Sequence, residues 1–510
     1  MKPLLLLFVL AAVAGAQLRV GTATAGITPK PGTPMPGYYF NRGSDGVHDP
    51  LLAKALVLEH NGTKAALVAC DIISLPAAFA QQARARIERD LGIPAARVMI
   101  SATHTHTGAL PLAGPTRYTL EGQSLALAQE YAQLVPMRIA EAVARVMISA
   151  THTHTGALPL AGPTRYTLEG QSLALAQEYA QLVPMRIAEA VARANAALQP
   201  AQIRAAAGHE PSLTFNRRFL MTDGSIGWNP GKRNPRIVRP SGPIDPAVPV
   251  LWFEDPKGQP LAAYVNYALH LDTVGGTHVS ADYPFTLSRT LQSVFGDSFF
   301  SLFTLGAAGN LNHIDVSTAR PQKGHGEAAR IGSVLAAAVL KTLNTAAPAA
   351  GHSLQSASAI VPLDVRPHDA AELDWARKTA ATFGTPKAAP FIDLVRAFRV
   401  SDCAARNGQP FDAEVQVITL GSDIAFVALP GEIFTELGLA IKLASPFRHT
   451  IIASLANDAL GYIPHRKAFA EGAYEVVSAR VAEGSGERLA EKAVEILLQL
   501  HKTAGERVAK

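Results

Sequence analysis

Cysteine is almost missing from this chain: Cys70 and Cys403 are the only two in 510 residues. Two thiols cannot build a disulfide framework. Cys70 closes an apolar strand and reads as a buried free thiol, while Cys403 falls in a stretch that reads as a polar loop. Charge is sparse too, at 17% against 48% hydrophobic residues, a balance that suits a large globular core. Strong basicity is absent. The net charge is +5 and the basic residues are scattered apart from Lys232, Arg233, Arg236 and Arg239, so no nucleic-acid partner is expected. Beyond the N-terminus no segment is long and apolar enough to span a bilayer. The apolar run Leu4 to Val13 follows Lys2 and precedes Ala14-Gly15-Ala16, which is the pattern of a cleavable signal peptide over residues 1–16. We therefore expect an exported chain, secreted or periplasmic, that matures near Gln17.

What is present is organised around one stretch. The apolar, partly β-branched run Val98-Met99-Ile100-Ser101-Ala102 reads as a buried strand, and it runs into Thr103-His104-Thr105-His106-Thr107-Gly108. Strand alternation would place the two imidazoles on one side, aimed into a pocket before Gly108 turns the chain. The stretch occurs twice. Arg97 to Ala144 is repeated residue for residue as Arg145 to Ala192, so His152 and His154 duplicate His104 and His106. Each copy holds a strand, the histidine loop, a Pro/Gly stretch and an amphipathic helix. The outer boundaries read as native: Leu91-Gly92-Ile93-Pro94 leads in, and Asn195 to Pro200 leads out. The internal junction runs helix into strand with no turn residue. One sheet has one slot for this strand, so one copy should be displaced.

Elsewhere, Leu51 to Glu59 and Ala65 to Ile72 read as strands around an Asn61-Gly62 hairpin turn, and Ala77 to Leu91 as a helix. Glu210 to Pro246, rich in Gly, Pro and Arg, reads as a long loop of the kind that is functional or mobile. Further strands are expected at Val248 to Glu254, Leu261 to Leu269, Phe299 to Leu305, Ala413 to Leu420, Asp423 to Leu429 and Thr450 to Leu455. Helices are expected at Glu327 to Leu343, Ala370 to Phe383 and Gly486 to Thr503, with another opened by Pro430-Gly431-Glu432. Strands and helices mix without a regular rhythm, which predicts an α/β protein with mixed β-sheets and surrounding helices.

Four features end a strand or turn in a residue that can bind a metal: the histidine pair, His270, Glu432 and Tyr462. Two imidazoles and a carboxylate that leave an open position are the usual catalytic zinc arrangement. Alone, each has a plainer explanation: a satisfied strand-end histidine, a carboxylate at a helix N-terminus, a packed tyrosine. His48-Asp49 and Asp71 sit near the N-terminal hairpin, where they could support such a pocket or simply shape the turn before Pro50.

Taken together and in order, Ser101 to Gly108, Asn216-Arg217, Asn266-Tyr267-Ala268-Leu269-His270, Gly306-Ala307-Ala308-Gly309-Asn310, Leu429-Pro430-Gly431-Glu432 and Asn457 to Val476 resemble the neutral (non-lysosomal) ceramidases. The resemblance spans about Leu18 to Leu497. It implies one large catalytic domain over residues 17–510, without that family's C-terminal immunoglobulin-like domain. It implies one zinc ion held by His104 or His152, His270, Glu432 and Tyr462. His106 or His154, Arg217 and Tyr474 would line the pocket and steady a tetrahedral oxyanion, although Arg217 could instead be a surface ion-pair residue. The implied reaction is hydrolysis of an N-acyl, ceramide-like amide by zinc-activated water, with a lipid-like substrate and contact with a membrane surface. One position departs from the family: Asn312 stands where a serine nucleophile is proposed, and an amide side chain cannot attack a carbonyl. The departure keeps two alternatives open: a non-catalytic secreted lipid- or metal-binding protein on the same scaffold, or a zinc-dependent esterase or lactonase.

Overall fold

The structure, a computed structural model, describes residues 17–35, 43–107 and 170–508. The expected signal peptide, the first-copy helix and the second-copy residues His152 and His154 lie outside the described residues. Mixed sheets flanked by helices form a single domain, as the sequence pattern predicts.

Three sheets share one plan. In the first, Arg19–Gly26, Leu52–His60 and Thr63–Cys70 are antiparallel neighbours. The hairpin turn has Asn61 and Gly62 both at positive φ, 51° and 72°, as a tight two-residue turn requires. The helix Ala77–Leu91 then crosses over and returns Val98–Ala102 parallel to Thr63–Cys70. In the second, Gln202–His209, Ala247–Glu254 and Pro260–Tyr267 are antiparallel, and after the helix Tyr283–Phe295 the strand Phe300–Leu305 joins in parallel. In the third, Leu354–Leu363, Phe411–Leu420 and Ile424–Ala428 are antiparallel, and after Thr435–Ala444 the strand His449–Ala453 joins in parallel.

The chain leaving Ala453 ties the three parallel edges together. Ser454 N donates to Leu305 O (3.0 Å), Asn457 N donates to Ile100 O (3.1 Å), and Ala456 bridges Ser101. Alternation splits the third sheet between two cores. Ile424, Phe426 and Ala428 join the large cluster under the first two sheets, while Ala425 and Val427 face a second cluster closed by Leu489, Ala493 and Leu497 of the last helix, Ser485–Val508. Burial on both faces explains why this strand reads as one unbroken apolar run.

Three expectations are corrected. Glu210 to Pro246 is not loop throughout: Arg218–Met221 is the centre of a small antiparallel sheet between Ile226–Trp228 and Ile237–Pro240. Its strands are short and broken by Gly and Pro, so they leave almost no periodic trace. Glu432 does not open a helix. Glu432–Ile433 pairs parallel with Tyr462–Ile463, and the helix starts at Thr435. Gly431 permits the turn, since a Cβ there would lie 2.8 Å from Gly461 O. Cys403 is buried in the helix Phe391–Ala404 and its thiol faces Arg480 O; both cysteines are free. The apolar face Leu394, Val395, Phe398 and Val400 makes that segment helical although its other face is polar.

The repeat is used as a hybrid. The described strand Val98–Ala102 belongs to the first copy, and the helix Gly170–Ala196 belongs mostly to the second. That helix buries Tyr179, Val183, Ile187 and Val191 in the main core. The outer flanks account for the choice. Ile93, before the strand, is buried in the main core where Glu141 precedes the second copy, and Lys64 donates to Asn195 Oδ1 (2.8 Å) after the helix. Gly21 lies so close to Ala194 O that a Cβ would sit 1.8 Å away. After the first copy the sequence runs Arg145-Val146-Met147, with no counterpart of Ala194 or Asn195. Chain entropy points the same way. The extra 48 residues lengthen a strand-to-helix connection that would otherwise have 19 residues, costing about 1 kcal/mol, whereas placed in the short connection on either side of that pair they would cost about 2–3 kcal/mol.

Removing any 48 consecutive residues that span one repeat period yields the same sequence, so a single deletion tests the hybrid. We expect the shortened chain to fold with the same site and to gain about 1 kcal/mol in urea unfolding. Failure to fold would show that one copy is not sufficient.

Candidate metal centre

The centre lies where these strand ends meet. The expected reason for the aim of His104 is not the observed one. The strand stops at Ala102, and His104 has φ 72°, left-handed backbone that a non-glycine residue rarely adopts. Alternation therefore does not set the two rings. The turn is held from outside: Thr103 N donates to Cys70 O (2.6 Å), His104 N to Ile72 O (3.0 Å), and the Thr103 hydroxyl to Asp71 Oδ1 (2.9 Å). Thr105 and Thr107 both donate their hydroxyls to Ser280 O. Strained backbone fixed this firmly is typical of functional sites.

His104 and His270 are oriented alike. His104 Nδ1 donates to Ile73 O and His270 Nδ1 donates to Ala308 O, each at 2.9 Å. A carbonyl only accepts, so both rings carry the proton on Nδ1 and present the Nε2 lone pair, as histidine ligands do. His270 Nε2 lies 3.4 Å from Glu432 Oε2, and the His104 and His270 ring centres are 4.9 Å apart. One ligand atom from each of His104, His270 and Glu432 falls within 4.8 Å of the others, and all three residues are buried. Burial, followed by the Arg217 charge, pulls the His270 pKa below its ordinary value despite Glu432, which favours the neutral, metal-binding imidazole.

Glu432 is set by a close backbone contact, since a Cβ on Gly309 would lie 2.4 Å from Glu432 O. Tyr462 is the register partner of Glu432. Its phenol is pushed well above its ordinary pKa by burial and partly restrained by the Arg217 charge. Two neutral imidazoles, a carboxylate and a phenol form a nitrogen and oxygen donor set that suits zinc.

The other expected residues surround this group. His106 is fully buried, its ring 5.1 Å from that of His104. Arg217 is not a surface residue: it is 2% exposed, donates from Nε to Glu475 Oε1 (2.7 Å), and from Nη2 to Gly309 O (2.8 Å) and the Tyr462 hydroxyl (3.1 Å). Tyr474 stacks on Trp228 at 4.4 Å and meets Tyr462 edge to face at 5.7 Å. Asn312 is buried, donates to Asn229 Oδ1 (3.0 Å) and accepts from Ile314 N (3.1 Å).

Sequence reasoning passed over Glu475. It is fully buried, and its second oxygen accepts from Arg218 Nη1 at 3.2 Å. Adjacent Arg217 and Arg218, just before the apolar Phe219-Leu220-Met221, are the only trace of it, since two buried guanidiniums require a carboxylate. Ser280 and the pair His313 and Asp272 (3.0 Å) were equally silent.

Asp71 carries a pH signature. Burial first, then the Asp49 charge, raise its pKa to about 6, against Lys54 and the bonds from Leu52 N and the Thr103 hydroxyl. The folded chain then keeps a proton that the unfolded chain has lost, so stability falls as pH rises from about 4 to about 6 and stays lower above that range. Asp71→Asn mimics the protonated side chain. Relative to the parent we expect it to be more stable at pH 7.5 by up to about 3 kcal/mol, with no difference at pH 3.5, read by urea unfolding. An equal difference at both pH values would refute the assignment.

By sequence, the chain matches no protein-family model and no curated protein. By structure it is similar to neutral ceramidase from Pseudomonas aeruginosa, with TM-score 0.68 and 19% identity over 96% of this chain and 75% of that one. A ceramidase complexed with C2 is similar at TM-score 0.65 and 18% identity, over 96% and 76%. Along almost its whole described length, this chain has the neutral ceramidase fold.

Proposed function

We propose that this protein is an exported, zinc-dependent hydrolase of an N-acyl, ceramide-like amide. The observation that carries the proposal is the buried convergence of His104, His270 and Glu432, both imidazoles presenting Nε2, within a ceramidase fold. Zinc held by these residues, with Tyr462 beside Glu432, would supply Lewis acidity and a water activated near neutral pH.

This chain's own residues do the rest. Arg217 is permanently charged and buried, and it keeps its guanidinium on the Tyr462 hydroxyl. It therefore offers fixed positive potential where a tetrahedral oxyanion develops, an effect worth roughly 3 kcal/mol per donor in other enzymes. His106, beside His104, is placed to move a proton between attacking water and leaving amine. Tyr474, clustered with Trp228 and Phe391, gives the pocket an apolar wall with a hydroxyl on it. Asn312 is engaged with Asn229 and supplies no nucleophile.

Export rests on the pattern of residues 1–16, and no helix among the described residues is long and apolar enough to cross a membrane. For a lipid-like substrate, the exposed Lys232, Arg233, Arg236, Arg239 and Val238 make a basic surface suited to anionic headgroups. Sedimentation with anionic vesicles tests it.

The test of the function is zinc content and hydrolysis of an N-acyl-amide panel by the purified full chain. Activity lost to a chelator and restored by zinc is the expected result, and chelator-insensitive activity overturns it. The buried Asn312 favours one second reading, a lipid- or metal-binding protein without turnover. Full metal occupancy with no hydrolysis of amides or esters would select it. Hydrolysis of esters or lactones alone would mark an esterase on the same centre.

A further inference from the structure

A second group of metal-binding side chains lies outside this centre. One ligand atom from each of His48, Asp49 and His325 falls within 4.8 Å of the others. Three separate elements bring them together. Gly46–Val47 pairs parallel with His278–Val279, and His48 N donates to Val279 O at 2.8 Å, which holds His48 at the surface. Asp49 is buried directly beneath. His325 is the first residue of the helix His325–Leu343, and Gly324, at φ 89°, turns the chain into it.

We propose that His48, Asp49 and His325 bind a second divalent metal ion of the zinc class. The donors are two imidazoles and one carboxylate, a set that favours zinc over the oxygen-loving calcium and magnesium. The rings stack with centres 3.5 Å apart and planes 10° from parallel. Stacked so closely they cannot comfortably both be protonated, and burial, followed by the His48 charge, holds the His325 pKa below its ordinary value. Tetrahedral zinc requires donors about 3.3 Å apart, and the exposed His48 ring is free to turn toward that spacing. His278, on the adjoining strand and 3.5 Å from Asp45, stands near enough to depress His325 and is a candidate fourth ligand.

The carboxylate is anchored from behind, as metal-bound carboxylates are. Asp49 Oδ1 accepts from Ala281 N (2.5 Å) and Oδ2 accepts from the Ser280 hydroxyl (2.7 Å), while His48 Nδ1 lies 2.9 Å from Oδ2 on the side of the proposed ion. Ser280 is also the residue whose carbonyl takes both the Thr105 and the Thr107 hydroxyls. An ion at Asp49 would therefore brace the loop that carries His104 and His106, which makes this a supporting site rather than a second catalytic one.

The test is metal per chain after dialysis of the purified full-length protein against buffered zinc, in the parent and in three variants. We expect two ions in the parent, one in His325→Ala, one in His104→Ala and none in the double variant. Cobalt provides a second readout: a visible absorption band retained in His104→Ala should vanish when His325→Ala is added. Circular dichroism of each variant excludes unfolding as the cause, and His48→Ala should repeat the His325→Ala result. No ion in His104→Ala, or an ion still bound when His325→Ala is added to that background, overturns the proposal. Because the second ion is counted in the His104→Ala background, the result is independent of whether the protein hydrolyses amides.

Discussion

His104→Ala removes the metal of the buried centre and all hydrolysis, while His152→Ala, the same substitution in the other copy of the repeat, leaves both near the parent level. The reasoning is positional. His104 follows the strand that pairs with Thr63–Cys70, and its backbone is locked by Ile72 O and by Thr103 on Asp71. The free edge of Thr63–Cys70 has room for one such strand, and the segment leading into the first copy, with Ile93 buried in the main core where Glu141 precedes the second copy, selects the first copy. Removing a partner that merely orients a ligand costs about 10- to 100-fold in metal affinity, and removing the ligand itself should cost more. The measurement is zinc per chain together with amide hydrolysis for both variants. Equal and complete loss from both would mean that the one-slot argument is wrong, and partial, equal loss would mean that the copies exchange.

Glu475→Ala should destabilise the fold by about 3–5 kcal/mol, because it strands the buried guanidinium of Arg217 and takes one of two carboxylates from Arg218. Arg217 and Arg218 are 2% and 1% exposed, and each has one oxygen of this carboxylate. Arg218 retains Glu471 (3.1 Å) and Gly472 O (2.9 Å), whereas Arg217 retains neutral partners only. The uncompensated charge therefore falls beside Tyr462. Urea unfolding reads the loss, and Arg217→Met in the Glu475→Ala background should recover part of it, because removing both charges is less damaging than removing one. A loss below about 1 kcal/mol, the range of an exposed pair, would show that water reaches these groups.

The chemistry of the centre was legible because ligand types are rare and were spelled locally. His104, His106, His270 and Glu432 each follow an apolar run, and a strand end is where a side chain can leave the core. Arg217 and Tyr474 were recognisable only through resemblance, since neither has a local signature. Glu475, Ser280 and Gly309 were not legible as site components. Each acts through a partner distant in sequence: Glu475 on Arg217, Ser280 on Thr105 and Thr107, Gly309 against Glu432. Asp71 and Asp49 could be suspected as supports, but the chain alone did not say of what.

The sequence by itself determined the class of the fold, the main strands, the ligand types, and that Arg97 to Ala144 is present twice. These depend on alternation, turn chemistry and residue identity, which are local. Only the tertiary structure decided three further matters. It took the strand from one copy and the helix from the other, because identical segments have identical local preferences and only their flanks, at Ile93 and Asn195, differ in what they touch. It aimed His104 by a left-handed turn rather than by strand alternation, because hydrogen bonds to Cys70 and Ile72 outweigh the backbone preference of a single residue. And it brought the carboxyl ends of three sheets to one point, where His104, His270 and Glu432 meet, because the three parallel edge strands are tied by the chain that leaves Ala453.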